Sequence, residues 1–562
     1  MVPMLQWKTR RILTACLWMG CSLVGTGQAL HGADAPGGAS KPAPQLTLTN
    51  VENQYKRVHQ FALRLVLLGR FDEARAFLAD YVNGHPADAE SPYLLGLLEC
   101  RLGNFDEAAD WMRKAIQLGL PPDRVIAGPR SIVNAAAAHP FFRQLLTAQG
   151  NRPVHGPLVG NVSERSAAFW FRTATVSRVQ VEVSPTPGFE SSVRSEIAVT
   201  GEPTDYTAVA SVSGLKPDTG YHYRVWVDGV RVPGTGDLSF RTFPEVGSGA
   251  RFRLVFGGGA GYVPPNERMW DTIRTFDPLL LLLLGDNVYI DDPESPVMQQ
   301  YTYQRRQSRP EWRRLTARSA VFTIWDDHDF STNDSWGGPE IEVPFWKKNY
   351  SWEIYKQNWA NPGYGGGASQ PGCWYRFQVA DVDFVMLDCR YYRTNPKRKE
   401  RTMLGPVQLA WLKEQLLGCR GTFKVICSSV PWDFRTKGDS LDTWNGYASE
   451  REEIFRWIEE HRIEGVLLMS ADRHRSDAWR LDRKQGYGFY EFNSSRLTNQ
   501  HVHPEMTDQG ALFSYNKKQS FGLVEFDTRK SDPTVKYSVI SIDGEAVHTV
   551  TVKRSELGFP KP

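Results

Sequence analysis

Cysteine is scarce in this sequence: the chain of 562 residues contains seven. Two of them, Cys16 and Cys21, lie in an N-terminal segment with the pattern of a targeting signal, which leaves five for the body of the chain. No pair of these five has the C-x-x-C spacing of a zinc cluster, and the sequence does not select partners for a disulfide. We therefore interpret them as small buried apolar side chains, namely Cys100, Cys373, Cys389, Cys419 and Cys427.

Long runs of one charge, and long apolar runs beyond the N-terminus, are also lacking. The 66 basic and 63 acidic residues are interspersed and give a formal net charge of +3, so the sequence carries no nucleic-acid-binding signal. The six leucines at residues 279–284 fall well short of the ~20 residues of a membrane span. The 41% hydrophobic and 23% charged residues are typical of a globular protein, and the length indicates several domains.

The N-terminus has the pattern of an export signal. Lys8, Arg10 and Arg11 precede an apolar stretch at residues 12–24, and small residues follow it. We predict a cleaved signal peptide at residues 1–33 and an exported protein in the periplasm, at the cell surface or outside the cell. A membrane anchor is the alternative, but glycines and a serine interrupt a stretch shorter than a span. The arginine pair leaves a twin-arginine export route open.

A helical repeat is predicted after a linker. Residues 34–49 are rich in Ala, Pro, Gly and Ser and are predicted to be that linker. The sequence G-x-F-D-E-A then begins at Gly69 and again 34 residues later at Gly103, a period typical of tetratricopeptide repeats. We predict such helical hairpins over residues 50–148. Because two repeats rarely stand alone, the unit binds a protein partner or packs on its neighbour, and we favour packing.

Residues 153–244 change to short alternating apolar runs, which predict the strands of a β-sandwich. Within them, residues 214–223 resemble the fibronectin type III corner, in which a leucine and a tyrosine pack beneath a proline-containing turn. We predict a fibronectin III-like sandwich with a structural role.

The remainder, residues 250–562, alternates apolar strands with helical patterns, which predicts an α/β domain. Four of its strands end in clusters that contain aspartate, joined in two of them by histidine, at residues 285–289, 326–329, 388–390 and 471–474. Because the carboxyl ends of strands in an open α/β sheet converge on one crevice, ligands from separate strands can share a metal ion there. One such cluster alone fits a helix cap, but four together favour a metal centre.

A Ser-His-Asp triad is the main catalytic alternative to a metal centre. Ser428 and Ser429 follow a strand, but the segment lacks the G-x-S-x-G elbow that exposes a nucleophile. Acid-rich clusters with histidine instead suit hard or borderline cations, which polarise phosphoryl oxygens and lower the pKa of a bound water. We therefore favour metal-dependent chemistry.

The order of four motifs carries a specific resemblance. The motifs are G-D-x-x-Y from Gly285, W-D-D-H-D from Trp325, L-D-x-R-Y-Y-R from Leu387 and S-A-D-R-H from Ser470, and together they resemble those of the PhoD-like alkaline phosphatases. The resemblance covers the chain from the sandwich onward, because that family carries a sandwich before its metallophosphatase domain, and it leaves out the helical repeats. It implies a calcineurin-like four-layer α/β sandwich over residues 250–562.

The resemblance also implies a set of site residues. Asp286 bridges two metal ions, and Tyr289 binds a ferric ion as in the purple acid phosphatases. His328 lies near the leaving group. Asp327 and Asp472 serve a second ion, calcium or another divalent cation. The full set of implied metal ligands is Asp286, Tyr289, Asp327, Asn333, Asp472 and His474.

Arginines flank these ligands. Guanidinium groups match phosphate oxygens in pairs and stabilise charge that develops in the transition state. We predict Arg390 and Arg473 as catalytic residues with His328, and Arg390 and Arg475 as substrate contacts; a salt-bridged surface is the alternative. An H-x-H pair in a loop, His501 and His503, is a weaker indication of the same site.

One motif departs from the family pattern. PhoD-like sequences place a cysteine ligand in a short turn after the first strand, whereas this chain reads Gly257, Gly258 and Gly259 there. Two interpretations stay open: the backbone approaches the phosphate, or the ferric site is altered, weaker or empty.

We predict a hydrolase of phosphomonoesters or phosphodiesters that uses a metal-activated hydroxide, with His328 as acid or electrostatic stabiliser. Its cofactors are two or more metal ions, ferric iron and calcium or another divalent cation. A catalytically silent surface protein that binds partners is one alternative, and the same fold acting on a sulfate or lipid-linked ester is another.

Overall fold

The computed structural model describes residues 55–234, 238–337 and 345–560, with side chains from residue 350 onward in the last range. The predicted signal peptide and linker, at residues 1–33 and 34–49, lie outside these residues. Within the described ranges no helix is long and apolar enough to cross a membrane. The five cysteines of the body of the chain are buried, as predicted, and form no disulfide with one another among the described residues.

Helices occupy most of the chain up to residue 149. The repeated motif sits at the same place in two successive hairpins: Gly69 and Gly103 have left-handed backbones, with φ of 73° and 81°, and end the first helix of each. Phe71 and Phe105 begin the second helices. Their assignment as tetratricopeptide-like stays a prediction. The helices are α1 (Tyr55–Leu67), α2 (Phe71–Gly84), α3 (Glu90–Leu102), α4 (Phe105–Gln117), α5 (Pro122–Ala127), α6 (Arg130–Val133) and α7 (Pro140–Gln149).

The helical segment packs on the rest of the chain, which is the arrangement that the sequence favours. Its apolar core includes Met298 and Tyr301, two residues of the helix Pro296–Gln307 that lies in the α/β region. Tyr301 also donates a hydrogen bond from its hydroxyl to Glu90 Oε1 at 2.6 Å. The interface is therefore both apolar and hydrogen-bonded.

Three β-sheets follow. Their strands are β1 (His155–Gly160), β2 (Ser166–Arg172), β3 (Arg178–Ser184), β4 (Val193–Arg194), β5 (Ala198–Val199), β6 (Thr207–Ser213), β7 (Gly220–Val227), β8 (Val230–Arg231), β9 (Leu238–Arg241), β10 (Arg251–Gly257), β11 (Leu280–Leu284), β12 (Ala320–Ile324), β13 (Tyr375–Val379), β14 (Val382–Met386), β15 (Phe423–Cys427), β16 (Val466–Ser470), β17 (Ser476–Leu481), β18 (Phe489–Ser494), β19 (Phe513–Tyr515), β20 (Ser520–Asp527), β21 (Thr534–Ser541) and β22 (Ala546–Lys553). The helices among them are α8 (Met269–Thr275), α9 (Pro296–Gln307), α10 (Pro310–Thr316), α11 (Asp327–Phe330), α12 (Phe345–Asn358), α13 (Gly405–Gly418) and α14 (Ala448–Glu460).

Two sheets form the centre of the α/β region. One has nine strands in the order β22-β21-β20-β10-β11-β12-β1-β2-β6, and the other has seven in the order β13-β14-β15-β16-β18-β17-β19. β10, β11 and β12 are parallel, as are β14, β15 and β16. Phe322 of β12 stacks on Phe377 of β13 with ring centroids 4.1 Å apart, which joins the two sheets. Each parallel set therefore brings its carboxyl ends to one edge.

The segment predicted as a sandwich is divided between two sheets. β3, β4, β5, β7, β8 and β9 form the third sheet, and Phe169 of β2 packs on Tyr223 and Phe240 of that sheet at 4.8 and 5.3 Å between ring centroids. Gly160 of β1 pairs with Val321 of β12, so the second layer of the sandwich is shared with the α/β region. The sequence did not predict this continuity. The fibronectin III-like assignment stays a prediction.

Candidate metal centre

The predicted ligands lie just beyond the carboxyl ends of parallel strands. Asp286 follows β11, Asp327 follows β12, and Asp472 and His474 follow β16. At Asp286, Tyr289, Asp472 and His474 the backbone is left-handed, with φ of 54°, 56°, 67° and 47°. Non-glycine residues in sparsely populated backbone regions cost ~1–3 kcal/mol each and cluster at functional sites. The chain therefore turns sharply at four of the six predicted ligands.

Asp286, Asp327 and His328 form a first ligand cluster. Each offers one atom within 4.8 Å of the others, and all three are buried. Asp286 Oδ1 has no hydrogen-bond partner among the described residues. Burial raises the pKa of Asp286 well above its usual range; the nearby charge of His328 opposes this shift, and that of Asp327 reinforces it. A buried, unpartnered carboxylate oxygen beside a second carboxylate fits a cation, because an unpaired buried charge is otherwise costly.

A second cluster consists of Asp327, Asp334 and Asp442, whose oxygens also lie within 4.8 Å of one another. The backbone N–H of Asp334 donates to Asp327 Oδ2 at 2.6 Å, which fixes the loop that carries Asn333. Lys437 Nζ lies 3.1 Å from Asp442 Oδ2, so the chain neutralises part of this cluster itself.

Three histidines form a third cluster. The rings of His474, His501 and His503 have centroids 4.7 to 5.6 Å apart. His474 Nε2 lies 2.9 Å from the hydroxyl of Tyr289, which also accepts a hydrogen bond from Asn499 Nδ2 at 2.8 Å. Burial, with the nearby charges of Arg473 and His501, lowers the pKa of His503 to about 3. Neutral imidazole is the form that binds metal, so this donor set fits a borderline cation.

His328 is held by a carboxylate from outside the ligand clusters. Its Nδ1 lies 2.5 Å from Asp291 Oδ1, and its ring stacks on Tyr289 with centroids 4.6 Å apart. Burial alone lowers the pKa of His328, but Asp291, Asp327 and Asp286 outweigh burial and raise it to about 10. The carboxylates therefore favour the protonated ring.

Members of all three clusters line a single cavity of about 320 Å³. The predicted residues that it brings together are Asp286, Asp327, His328, Asn333, Asp472, Arg473 and His474. Tyr289 lies buried beside it, in contact with His474 and His328. His501 and His503 line it too, as do four residues that were not predicted: Lys56, Arg57, Asp334 and Lys437.

The three predicted arginines have different positions. Arg473 lines the cavity, with Nη1 3.5 Å from Asp472 Oδ2. Arg390 is fully buried between Asp326 and Asp442, at 2.5 and 2.7 Å. Arg475 is buried against Asp477 at 2.8 Å. Neither Arg390 nor Arg475 is among the lining residues, so the structure does not bring these two predicted substrate contacts to the cavity. A buried guanidinium requires carboxylate partners, and both arginines pair with aspartates instead.

The glycine run packs backbone against backbone. A Cβ on Gly258 would lie 2.6 Å from the Cβ of Ala471 and 2.9 Å from the carbonyl oxygen of Gly285, and Gly259 has a left-handed φ of 65°. Ala260 N–H donates to the carbonyl oxygen of Asp286 at 2.8 Å. The glycine run therefore packs directly against the loops that carry Asp286 and Asp472, and it leaves no room for a side chain at residue 258. It is not among the residues that line the cavity.

Two of the unpredicted lining residues come from α1. Lys56 is 3% exposed, with Nζ 3.4 Å from the centroid of the Tyr289 ring. Burial and the neighbouring Arg57 lower the pKa of Lys56 to about 7. Neither residue lies in a motif; the one signal in the sequence is a pair of adjacent cations at the start of a helical unit predicted to pack on its neighbour.

Comparison with known proteins identifies a family to which this chain is similar. The family model described as PhoD-like phosphatase matches residues 252–556, just over half of the chain, and one described as a domain of unknown function (DUF7800) matches residues 151–244. Alkaline phosphatase D of Bacillus subtilis (strain 168) is 22% identical over an alignment of 348 residues, and the match covers 54% of this chain and 59% of that protein. The chain thus matches less than two thirds of the length of this curated relative.

Two solved structures share the fold. The structure of PhoD superposes with a TM-score of 0.60 at 17% identity, over 72% of this chain and 90% of that one. The purple acid phosphatase PPD1 from yellow lupin (Lupinus luteus) seeds superposes with a TM-score of 0.51 at 13% identity, over 72% and 75%. These likenesses concern the α/β fold, and the family match rests on sequence. The chain belongs to the PhoD-like phosphatase family.

Proposed function

We propose that the protein is a metal-dependent phosphoesterase that hydrolyses phosphomonoesters, phosphodiesters or both. One observation carries the proposal: the buried, unpartnered oxygen of Asp286 lies among carboxylates and imidazoles at the carboxyl edge of parallel strands. Cationic side chains line the same cavity and complement a phosphate group. Membership of the PhoD-like family, and the name of the curated relative, support the same reaction class.

Six residues are proposed to hold the metal ions. Bound metal ions supply Lewis acidity toward phosphoryl oxygens and a water of lowered pKa. We assign Tyr289 to a ferric ion, because a phenolate favours a hard trivalent cation, and Asp327 and Asp472 to calcium or another divalent cation. His501 and His503 are added as candidates, because they meet His474. The six proposed ligands are Asp286, Tyr289, Asp327, Asn333, Asp472 and His474, with His501 and His503 as the further candidates.

His328 and Arg473 are proposed to act on the leaving group and on developing charge. Asp291 occupies Nδ1 of His328, so Nε2 is the ring nitrogen that donates a proton to the leaving oxygen. The guanidinium of Arg473 lines the cavity and stabilises negative charge on the phosphoryl oxygens. Arg390 is proposed to act indirectly, by holding Asp326 and Asp442 in place.

Substitution of the central carboxylate tests the function. Asp286→Asn is expected to abolish turnover of a chromogenic phosphate ester and to lower the metal content measured by elemental analysis. Asp482→Asn is the matched control, because its side chain is 79% exposed and lies outside the cavity lining. Unchanged turnover and metal content in Asp286→Asn would contradict the proposal.

A catalytically silent protein that binds partners through its surface is the second candidate. The observation that favours it is the glycine run, which supplies no ligand side chain where the family pattern has a cysteine. Such a protein would contain no stoichiometric metal after purification, and a panel of phosphate, sulfate and lipid-linked esters would all remain intact.

Finer assignments of the chain also belong to the proposal. We assign residues 50–148 to tetratricopeptide-like repeats, 153–244 to a fibronectin III-like sandwich, and 250–562 to the catalytic domain. The helical hairpins and the facing sheets support the first two assignments. Residues 1–33 are proposed as an export signal that directs the protein to the periplasm, the cell surface or the exterior, and N-terminal sequencing of the mature protein tests it.

A further inference from the structure

We propose that Lys56, on the first helix of the N-terminal helical segment, binds the phosphoryl group of the substrate, so that this segment is part of the active site. The inference rests on the proposed function, and it concerns a residue far outside the match to the family model at residues 252–556. Its starting point is the position of the ammonium group, which lines the cavity although the residue is 3% exposed.

The helix α1 is docked firmly on the loop that follows the first metal motif. Gln60 Nε2 donates to the carbonyl oxygens of Tyr289 and Ile290, at 2.5 and 3.3 Å. Arg57 forms an ion pair with Asp291, and Arg64 forms another with Asp292 at 3.1 Å. Side chains from three successive turns of α1 thus hold four consecutive residues of this loop. These contacts between α1 and the loop therefore fix the position of Lys56.

Lys56 differs from the other cations of the cavity in its partners. Arg57 is paired with Asp291, Lys437 with Asp442 and Asp472, and Arg473 with Asp472. Among the described residues, no carboxylate oxygen lies within 4.0 Å of Lys56 Nζ, which rests on the face of the Tyr289 ring. A buried ammonium requires an anionic or polar partner, and a phosphate oxygen meets that requirement.

Lys56 also lies next to the predicted metal ligands. Its Nζ rests on the ring of Tyr289, and the residue lines the same cavity as Asp286. An ammonium at this place adds positive charge beside Asp286 without adding a metal ligand. A small ester fits the cavity of about 320 Å³, with its phosphate between Lys56 and the aspartates and its leaving group toward His328.

Two variants of Lys56 and one control test the inference. Lys56→Met keeps most of the length and the apolar stem of the side chain and removes the charge, whereas Lys56→Arg keeps the charge. Lys114→Met is the control, because Lys114 is an exposed lysine of the same helical segment. The readouts are kcat and KM for a chromogenic phosphomonoester, the affinity for inorganic phosphate from calorimetry, and metal content.

Lys56→Met is expected to lower kcat/KM and to weaken phosphate binding, each by about 10- to 100-fold, the range for a lost charge-assisted hydrogen bond. Metal content should stay at the wild-type level, Lys56→Arg should restore much of the loss, and Lys114→Met should match wild type. Equal phosphate affinity in Lys56→Met and wild type would overturn the inference. So would a gain of metal and activity in Lys56→Met, which would mean that the ammonium obstructs a metal position.

Failure of the proposed function gives a different result. If the wild-type protein hydrolyses no ester in the panel, the proposed function fails, but the calorimetric titration still decides whether Lys56 binds phosphate. If wild type is active and Lys56→Met is indistinguishable from it in every readout, only the inference about Lys56 fails.

Discussion

The edge of the parallel strands and the helix α1 face each other across the cavity, and they contribute opposite charges. The strand edge supplies Asp286, Asp327 and Asp472, each placed by the strand that precedes it. The helix supplies Lys56 and Arg57 from a segment outside the family match. The acidic half of the site is thus part of the family fold, whereas two of the four cations that line the cavity come from an appended segment, the other two being Lys437 and Arg473. Changes on the strand side should affect metal binding and turnover, and changes on the helix side should affect substrate binding or stability.

After the loss of turnover expected for Asp286→Asn, the largest effect is expected for Asp327→Asn, on the strand side. Asp327 belongs to two of the ligand clusters, so its loss removes a carboxylate from both. We expect kcat to fall by well over about 100-fold, because loss of a mere hydrogen-bond partner of a metal ligand already costs 10- to 100-fold. Steady-state kinetics and elemental analysis check this. Full activity with normal metal content would remove Asp327 from the site.

A smaller effect is expected for Asp291→Asn, at the junction of the two regions. Asp291 pairs with Arg57 of the helix and with His328 Nδ1 of the strand side. We expect kcat to fall by about 10- to 100-fold, at or below the lower end of the roughly 10²- to 10⁴-fold that general acid–base catalysis contributes, because His328 itself stays in the site and loses only its orienting partner. Asp292→Asn is the matched control, since Asp292 pairs with Arg64 and does not line the cavity. Equal kcat values in the two variants would mean that His328 takes no part in the chemistry.

The helical segment has an ionic cluster of its own, which predicts a change in stability. Asp88 accepts hydrogen bonds from the backbone of Ser91 at 2.9 Å and contacts His59 Nε2 at 3.0 Å. Burial raises the pKa of Asp88, but His59 and these hydrogen bonds outweigh burial and hold it well below its usual range. The stabilisation is therefore present above the unfolded-state pKa of about 3.9 and is lost as the pH falls below it.

We accordingly expect Asp88→Asn to lower the free energy of unfolding at pH 7 by about 1–3 kcal/mol, the range for hydrogen bonds to a charged group. The difference from wild type should shrink as the pH falls below about 4. Thermal melts at several pH values measure it. A difference that is constant with pH would mean that the charge of Asp88 contributes nothing.

The smallest effect is expected for Arg64→Gln. Its ion pair with Asp292 joins side chains that are 33% and 14% exposed, so solvent screens the pair. We expect a loss of stability of about 1 kcal/mol or less and turnover within about twofold of wild type. A large loss of turnover would show that the docking of α1 depends on this one pair.

The strand-end aspartates were predictable because their placement is local. An apolar run that is buried at every position, such as Leu280–Leu284, specifies a central strand, and the next polar residue must lie at the sheet edge. The partners of Arg390 depend instead on a remote loop, since Asp442 lies 52 positions away in the sequence. The position of Lys56 was harder still to predict, because no local sequence pattern specifies where a helical unit will dock.

The shared sheet has a similar explanation. β2 is buried at six of its seven positions, which is the pattern of a strand covered on both faces. The sequence shows that run, Ala167 to Arg172, but does not show what covers it. The pairing of β1 with β12 joins residues 161 positions apart, and such contacts leave no periodic trace in the sequence.

Removal and return of metal tests the central claim most directly. The purified protein would be freed of metal with a chelator, assayed with a chromogenic phosphate ester, and assayed again after iron, calcium or another divalent cation is added back. We predict that activity falls with metal content and returns on reconstitution of wild type, and that Asp286→Asn recovers neither metal nor activity. Full hydrolytic activity in the metal-free protein would contradict the account.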